Sequence, residues 1–241
     1  MRAPTETFRD RAVRAWLRFS ALRPAEDLPS NLTADQGLVI DLHNLGGRRH
    51  EATSIAARWR KSGGGPVLAR MQPLTLGEHV TEDITTAVTA GVLGIVLPGI
   101  RSGADLQHLH SLIAVEEAIA GIEIGTVSIV AEIGDVAQGV LQAASLAGKT
   151  PRLSALFFNP QALAENLGAR SDATVATTAR AWALLGAKAA DIAAFEILPS
   201  AISEAECPDR CRLLQAEGFQ GVATDQPELL DTIETVFRDD G

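Results

Sequence analysis

The chain has 241 residues, 46% hydrophobic and 21% charged, enough apolar surface for a large α/β core and too much for a disordered polymer. Its formal net charge of −9 excludes broad binding to nucleic acid or anionic membrane, which needs clustered Lys and Arg, but leaves room for a local cationic pocket. Aromatic residues are only 4% and Tyr is absent, so the core rests on Ala, Val, Leu and Ile, as in parallel strands buried on both faces.

Residues 1–13 scatter Arg and Asp around Phe8 and read as a short helix or an N-terminal arm. They lack the apolar core of a signal peptide, and no later apolar run reaches the roughly 18–20 residues of a membrane span, so a cytoplasmic location is expected. A weak first strand over 17–21 is followed by the proline-containing RPAEDLPSN and a clear strand over 37–42. Residues 48–61 have helical spacing, with Ala52, Ile55, Ala56 and Trp59 on one face. SGGGP (62–66) breaks into a strand over 66–71 that delivers Arg70 and stops at Pro73. A helix over 78–90, a strand over 93–97 and a helix over 104–120 follow, with Gly91 and Gly121 as helix stops. The rhythm continues with strands at 126–131, 153–158, 193–198 and 221–224, and helices at 135–147, 174–187, 204–217 and 227–238. Cys207 and Cys211, about one helical turn apart, read as structural thiols.

About eight strand–helix units with aliphatic strands imply a parallel sheet, and in a chain of this length they match a closed (β/α)8 TIM barrel forming one domain over 1–241. The alternative is an open doubly wound sheet, but no glycine-rich phosphate loop follows the first strands. In a barrel the chemistry sits where strands end. The polar residues there are Asp41, His43 and Asn44, Arg70 and Gln72, Arg101 and Ser102, Glu132 and Asp135, Asn159 and Gln161, Glu196, and Asp225 and Gln226. Arg70 suits two-point binding of a carboxylate. Glu132 emerges from the buried run VSIVA and needs a metal, an arginine or a proton as partner; a plain Arg70–Glu132 pair closing the barrel mouth is the bland alternative. His43 can act as a base near neutral pH or merely bond Asp41 or backbone.

The wording of these segments resembles the citrate lyase beta-subunit-like group of the HpcH/HpaI aldolase superfamily. IDLHN stands where that family has a strand ending D-L-E-D, ARMQPL where it has V-R-I-N-P, and GVLGIVLPGIRS where it has a segment ending L-P-K-V-E-S. VAEIGDV, FFNPQALAENLG and EGFQGVATDQP match its E-T, D-L and I-H-P segments in the same order. The resemblance implies a carbon–carbon lyase or aldolase acting on a small oxo or hydroxy acid, or its CoA thioester, through an enolate stabilised by Mg²⁺. It implies a substrate-binding, catalytic role for Arg70 and a metal ligand at Glu132; in the lyase reading of these strand ends Asp41 or His43 assists catalysis, and Arg101 and Gln72 join Arg70 in contacting the substrate. The second metal carboxylate of the family falls on Ala162, with Asp135 as the substitute within reach. The family's lysine and glutamate fall on Gly99 and Arg101, and its late histidine on Gln226. Oligomers, trimeric or larger, are implied through the outer helices, where Trp182 lies on an alanine-rich helix and packs either on another subunit or on the barrel wall. No basic cluster marks a CoA phosphate, and ending at Gly241 the chain is expected to lack the family's C-terminal lid. These losses keep a second reading open: a catalytically silent barrel that binds a small acid or a protein partner.

Overall fold

The computed structural model describes residues 13–43, 45, 48–170 and 173–238, so residues 1–12 of the expected arm, and Asn44, lie outside the described residues. Strands β1 (Ala15–Ser20), β2 (Gln36–Asp41), β3 (Val67–Arg70), β4 (Gly94–Leu97), β5 (Ser128–Ile133), β6 (Leu153–Phe158), β7 (Ala193–Ile197) and β8 (Gly221–Thr224) pair in parallel in chain order. β8 pairs back onto β1 through Ala15 and Val222, which closes the barrel and removes the open-sheet alternative. Helices α1 (Glu51–Lys61), α2 (Val80–Thr89), α3 (Gly103–Ala120), α4 (Ala137–Leu141), α5 (Pro160–Leu167), α6 (Thr174–Ala189), α7 (Cys207–Glu217) and α8 (Leu230–Arg238) cover the outside. No helix among the described residues is long and apolar enough to cross a membrane.

Two cores hold this arrangement. The larger lies between strands and helices and uses the aliphatic residues that point outward from the barrel, such as Leu38, Ile40, Ile95 and Ile129, against Ile55, Trp59, Ile84, Leu106 and Ile113. The smaller fills the barrel interior with Trp16, Val39, Leu68, Val96, Val130, Phe157 and Phe195. Adjacent residues of each strand serve different cores, as the two-residue period of a strand requires. Gly37 makes room for Trp16, because a Cβ there would overlap the indole ring. The ring lies 6.1 Å from Phe157 and 6.2 Å from Phe195, and the three aromatics pack together in the barrel interior.

Two helices differ from expectation. The helix expected over 135–147 is α4 followed by a 3-10 turn, Ala143–Leu146. Tertiary contacts override its helical pattern: Ser145 Oγ accepts from the Gly103 N–H at the start of α3, and Gly139 lies against the Ile100 carbonyl. Between β6 and α6, where the sequence rhythm placed no helix, the chain forms α5, because Pro160 starts a helix and Asn159 caps it.

Candidate functional site at the barrel mouth

Register fixes the first contacts. Asp41 and Arg70 are paired neighbours at the ends of β2 and β3. Both continue inward-facing series, Val39 to Asp41 and Leu68 to Arg70, so they face the barrel axis beyond the interior aromatic cluster. Glu132 follows Val130 in the same way on β5, and Asn159 follows Phe157 beyond β6.

These residues form one hydrogen-bonded cluster. Arg70 Nε donates to Glu132 Oε2 at 2.7 Å and Arg70 Nη2 to Glu132 Oε1 at 3.0 Å. Arg70 Nη1 donates to Asp41 Oδ2 at 3.3 Å. Asn159 Nδ2 donates to Glu132 Oε1 at 3.2 Å, while its Oδ1 accepts from the Ala162 N–H and caps α5. The Glu132 side chain is 1% exposed and that of Arg70 12%. Burial alone would push the Glu132 carboxyl up, but the charge and hydrogen bonds of Arg70 outweigh it and hold the carboxyl below its ordinary value. Arg70 is in turn held above its ordinary value by Glu132 and Asp41 against the effect of burial.

Asp135 lies past the turn at Gly134, whose φ of 128° and close approach to the Asn159 backbone exclude any side chain. Its Oδ2 accepts from the Gly99 N–H at 2.8 Å. Burial first, and the negative charge of Glu132 second, raise its carboxyl above the ordinary range. Gln72 is buried, and its Nε2 has no hydrogen-bond partner. His43 meets Asp41 through its backbone N–H, which donates to Asp41 Oδ1 at 2.9 Å. Ala162 lies within α5 and brings no oxygen from its side chain.

Other residues from the sequence lie apart from this cluster. Gly99, at φ 67°, turns the chain after β4, and the half-exposed Arg101 side chain pairs with Asp105 of α3 at 3.8 Å. Gln161 is exposed and donates to Glu165. Asp225 accepts from Ser200, and Gln226 donates to the carbonyls of Ser200 and Ile202. Glu196 sits between the inward-facing Phe195 and Ile197, so it points outward, where Arg180 and Arg210 bind it. One mouth residue escaped the sequence reading: Arg18 on β1, two residues after the inward Trp16. The signal was its place in WLRFS, where alternation puts Trp16, Arg18 and Ser20 on one side.

The model of the HpcH/HpaI aldolase/citrate lyase family matches residues 67–227, which takes in Arg70, Glu132 and the chain from β3 to the end of β8. The chain belongs to the HpcH/HpaI aldolase/citrate lyase family. Within that family, the citrate lyase subunit beta of Leuconostoc mesenteroides subsp. cremoris is 28% identical over 158 residues, 64% of this chain and 52% of that protein. The chain thus spans about half the length of that curated relative. Solved structures of similar fold include RipC from Yersinia pestis, with 23% identity, a TM-score of 0.72 and coverage of 93% of this chain and 94% of that one. CitE from Mycobacterium tuberculosis, in complex with magnesium and acetoacetate, is 18% identical with a TM-score of 0.70 over 94% and 91%. A citrate lyase from Burkholderia xenovorans LB400 is 14% identical with a TM-score of 0.76 over 94% and 78%. At these identities the structures establish the shared barrel.

Proposed function

We propose that the barrel mouth is the acid-binding site of a carbon–carbon lyase of the citrate lyase beta-subunit kind, acting on a small oxo or hydroxy acid or its CoA thioester. The observation that carries this reading is the Arg70 guanidinium, held at the strand ends by Glu132 and Asp41 above the aromatic cluster of the barrel interior. A guanidinium has five N–H donors. Three are taken by the two carboxylates, so the remaining pair on Nη1 and Nη2 is free to meet a carbonyl or carboxylate oxygen of a ligand. Such a contact is strongest when negative charge develops on that oxygen, as it does when a carbon–carbon bond breaks beside a carbonyl and its electrons pass into an enolate. In the cleavage direction Asp41 or His43 takes the hydroxyl proton of the substrate, and the enolate carbon is protonated afterwards.

We read the donor set as unsuited to Mg²⁺, which takes near-octahedral oxygen ligands, usually one or two of them protein carboxylates. Both Glu132 oxygens already accept from Arg70, the Asn159 oxygen caps α5, and Asp135 bonds the Gly99 N–H. Among the described residues no cluster of three or more His, Cys, Asp or Glu side chains is placed to hold a metal. The same observation favours the second reading, a barrel that retains acid binding without turnover.

Calorimetry with pyruvate, acetoacetate and oxaloacetate tests the site. Removing charged hydrogen bonds worth about 1.5–3 kcal/mol should weaken binding roughly ten- to one-hundred-fold in Arg70→Ala. Unchanged binding in that variant places the site elsewhere. Product analysis by NMR on a panel of small hydroxy acids and their thioesters then separates a lyase from a silent binder.

A further inference from the structure

The mouth holds a cation that the roles above do not use. Arg18 stands on β1 one inward step above Trp16. Trp16 packs against Phe157, and one inward step above Phe157 is Asn159, which donates to Glu132. Arg18 is therefore set over the interior aromatic cluster on the side of the Arg70–Glu132 pair, and its charge is felt by both Glu132 and Asp135. It is partly buried, and its side chain makes no hydrogen bond or ion pair with any described residue.

Direct pairing within the cluster, though not its formal charge count, leaves the Arg18 guanidinium over. Glu132 and Asp41 are both bonded to Arg70, and Asp135 faces the Gly99 N–H. A partly desolvated guanidinium without a carboxylate calls for an anion. The buried Nε2 of Gln72, two residues past Arg70, is a second donor without an acceptor. Unsatisfied donors fit ligand oxygens and oppose a bound cation.

We propose that Arg18 stands in for the divalent cation in this mouth, binding the carboxylate of the small acid directly so that ligand binding requires no Mg²⁺. The proposal rests on the reading of the mouth as an acid site. Gln72 and the free N–H groups of Arg70 then serve the remaining oxygens of the ligand.

Calorimetry with pyruvate on the full chain, stripped of metal, tests it. The affinity in EDTA should agree within about twofold with that in millimolar Mg²⁺. Arg18→Met should bind at least ~10-fold more weakly under both conditions, and Arg18→Lys, which keeps the charge, should recover most of the loss. Thermal melts near that of the wild type show that both variants are folded, and the EDTA comparison needs no variant. Binding that appears only with Mg²⁺ overturns the proposal while leaving an acid site at Arg70, as does an Arg18→Met variant that binds like the wild type. Failure of pyruvate, acetoacetate and oxaloacetate alike to bind under either condition overturns both the proposal and the site.

Discussion

Glu132 is almost fully buried, and its two oxygens take three N–H donors, two from Arg70 and one from Asn159. Removing one member of a buried pair leaves the other charge desolvated, which costs more than the pair itself contributes. Glu132→Gln should therefore lower unfolding free energy by ~3–5 kcal/mol, and Arg70→Met by a similar amount. The double variant should lose clearly less than the sum, because neither residue is then left as an unmatched charge. Urea denaturation of the four proteins measures the cycle, and additive losses would mean that the two side chains do not interact. Arg70, Asp41 and Glu132 were legible in the sequence because each follows an apolar run at the point where a barrel exposes its strand ends. Arg18 was not, because its strand read as weak and the residue is flanked by Leu17 and Phe19 rather than standing at the end of an aliphatic run. Arg101 read as a pocket residue from its place after β4, but beyond the glycine turn at Gly99 its half-exposed side chain pairs with Asp105 at the start of α3 and not with the Arg70 cluster.

At the scale of elements, α3 is tied down at both ends. Ser102 and Asp105 form a capping box at its start. Near its end, Glu117 accepts from Arg152 at 2.6 and 2.9 Å and from the N–H groups of Gly125 and Val127, which joins the helix to β6 and to the entry of β5. Burial pushes the Glu117 carboxyl up, but Arg152 and the two backbone donors outweigh it and hold it below the ordinary value. A carboxylate with a depressed folded value stabilises the fold above its unfolded value, near 4.3, and loses that contribution as pH falls through the folded one. Asp83 and Asp135, raised by burial, act with the opposite sign and favour the fold as they take up protons. Glu117→Gln should thus cost ~3–5 kcal/mol at pH 7, and the difference from the wild type should shrink as pH falls below about 4. Chemical denaturation across pH 2–7 checks this, and a difference that stays constant with pH would show that Glu117 does not carry the linkage. Strands and most helices were legible because their aliphatic runs and glycine stops are local signals. The fracture of 135–147 into α4 and a 3-10 turn was not, because its causes, Gly103 and Ile100, are remote in sequence.

For the whole molecule, eight units of alternating strand and helix sufficed to expect a closed barrel, since parallel strands covered on both faces leave few other arrangements. What the rhythm did not reveal is which parts of the outer layer stay uncovered. α6 buries Ala176, Ala179, Ala183 and Ala187 against the barrel, and the opposite stripe leaves Val175, Trp182 and Leu185 exposed. Trp182 is 50% and Leu185 67% exposed, so the barrel wall does not cover them. Leu141 of α4, which packs beside α6, is 68% exposed as well. An exposed tryptophan with exposed aliphatic neighbours on the same helix is a pattern found at protein contacts. A second copy of the chain is the partner to test first, since it is present wherever the chain is. Light scattering should then give a mass that is a multiple of 25.4 kDa. Trp182→Glu combined with Leu185→Lys should return it to that of one chain, with a thermal melt that becomes dependent on protein concentration only in the wild type. A single-chain mass for the wild type at tens of micromolar would remove self-association and leave this face to another partner.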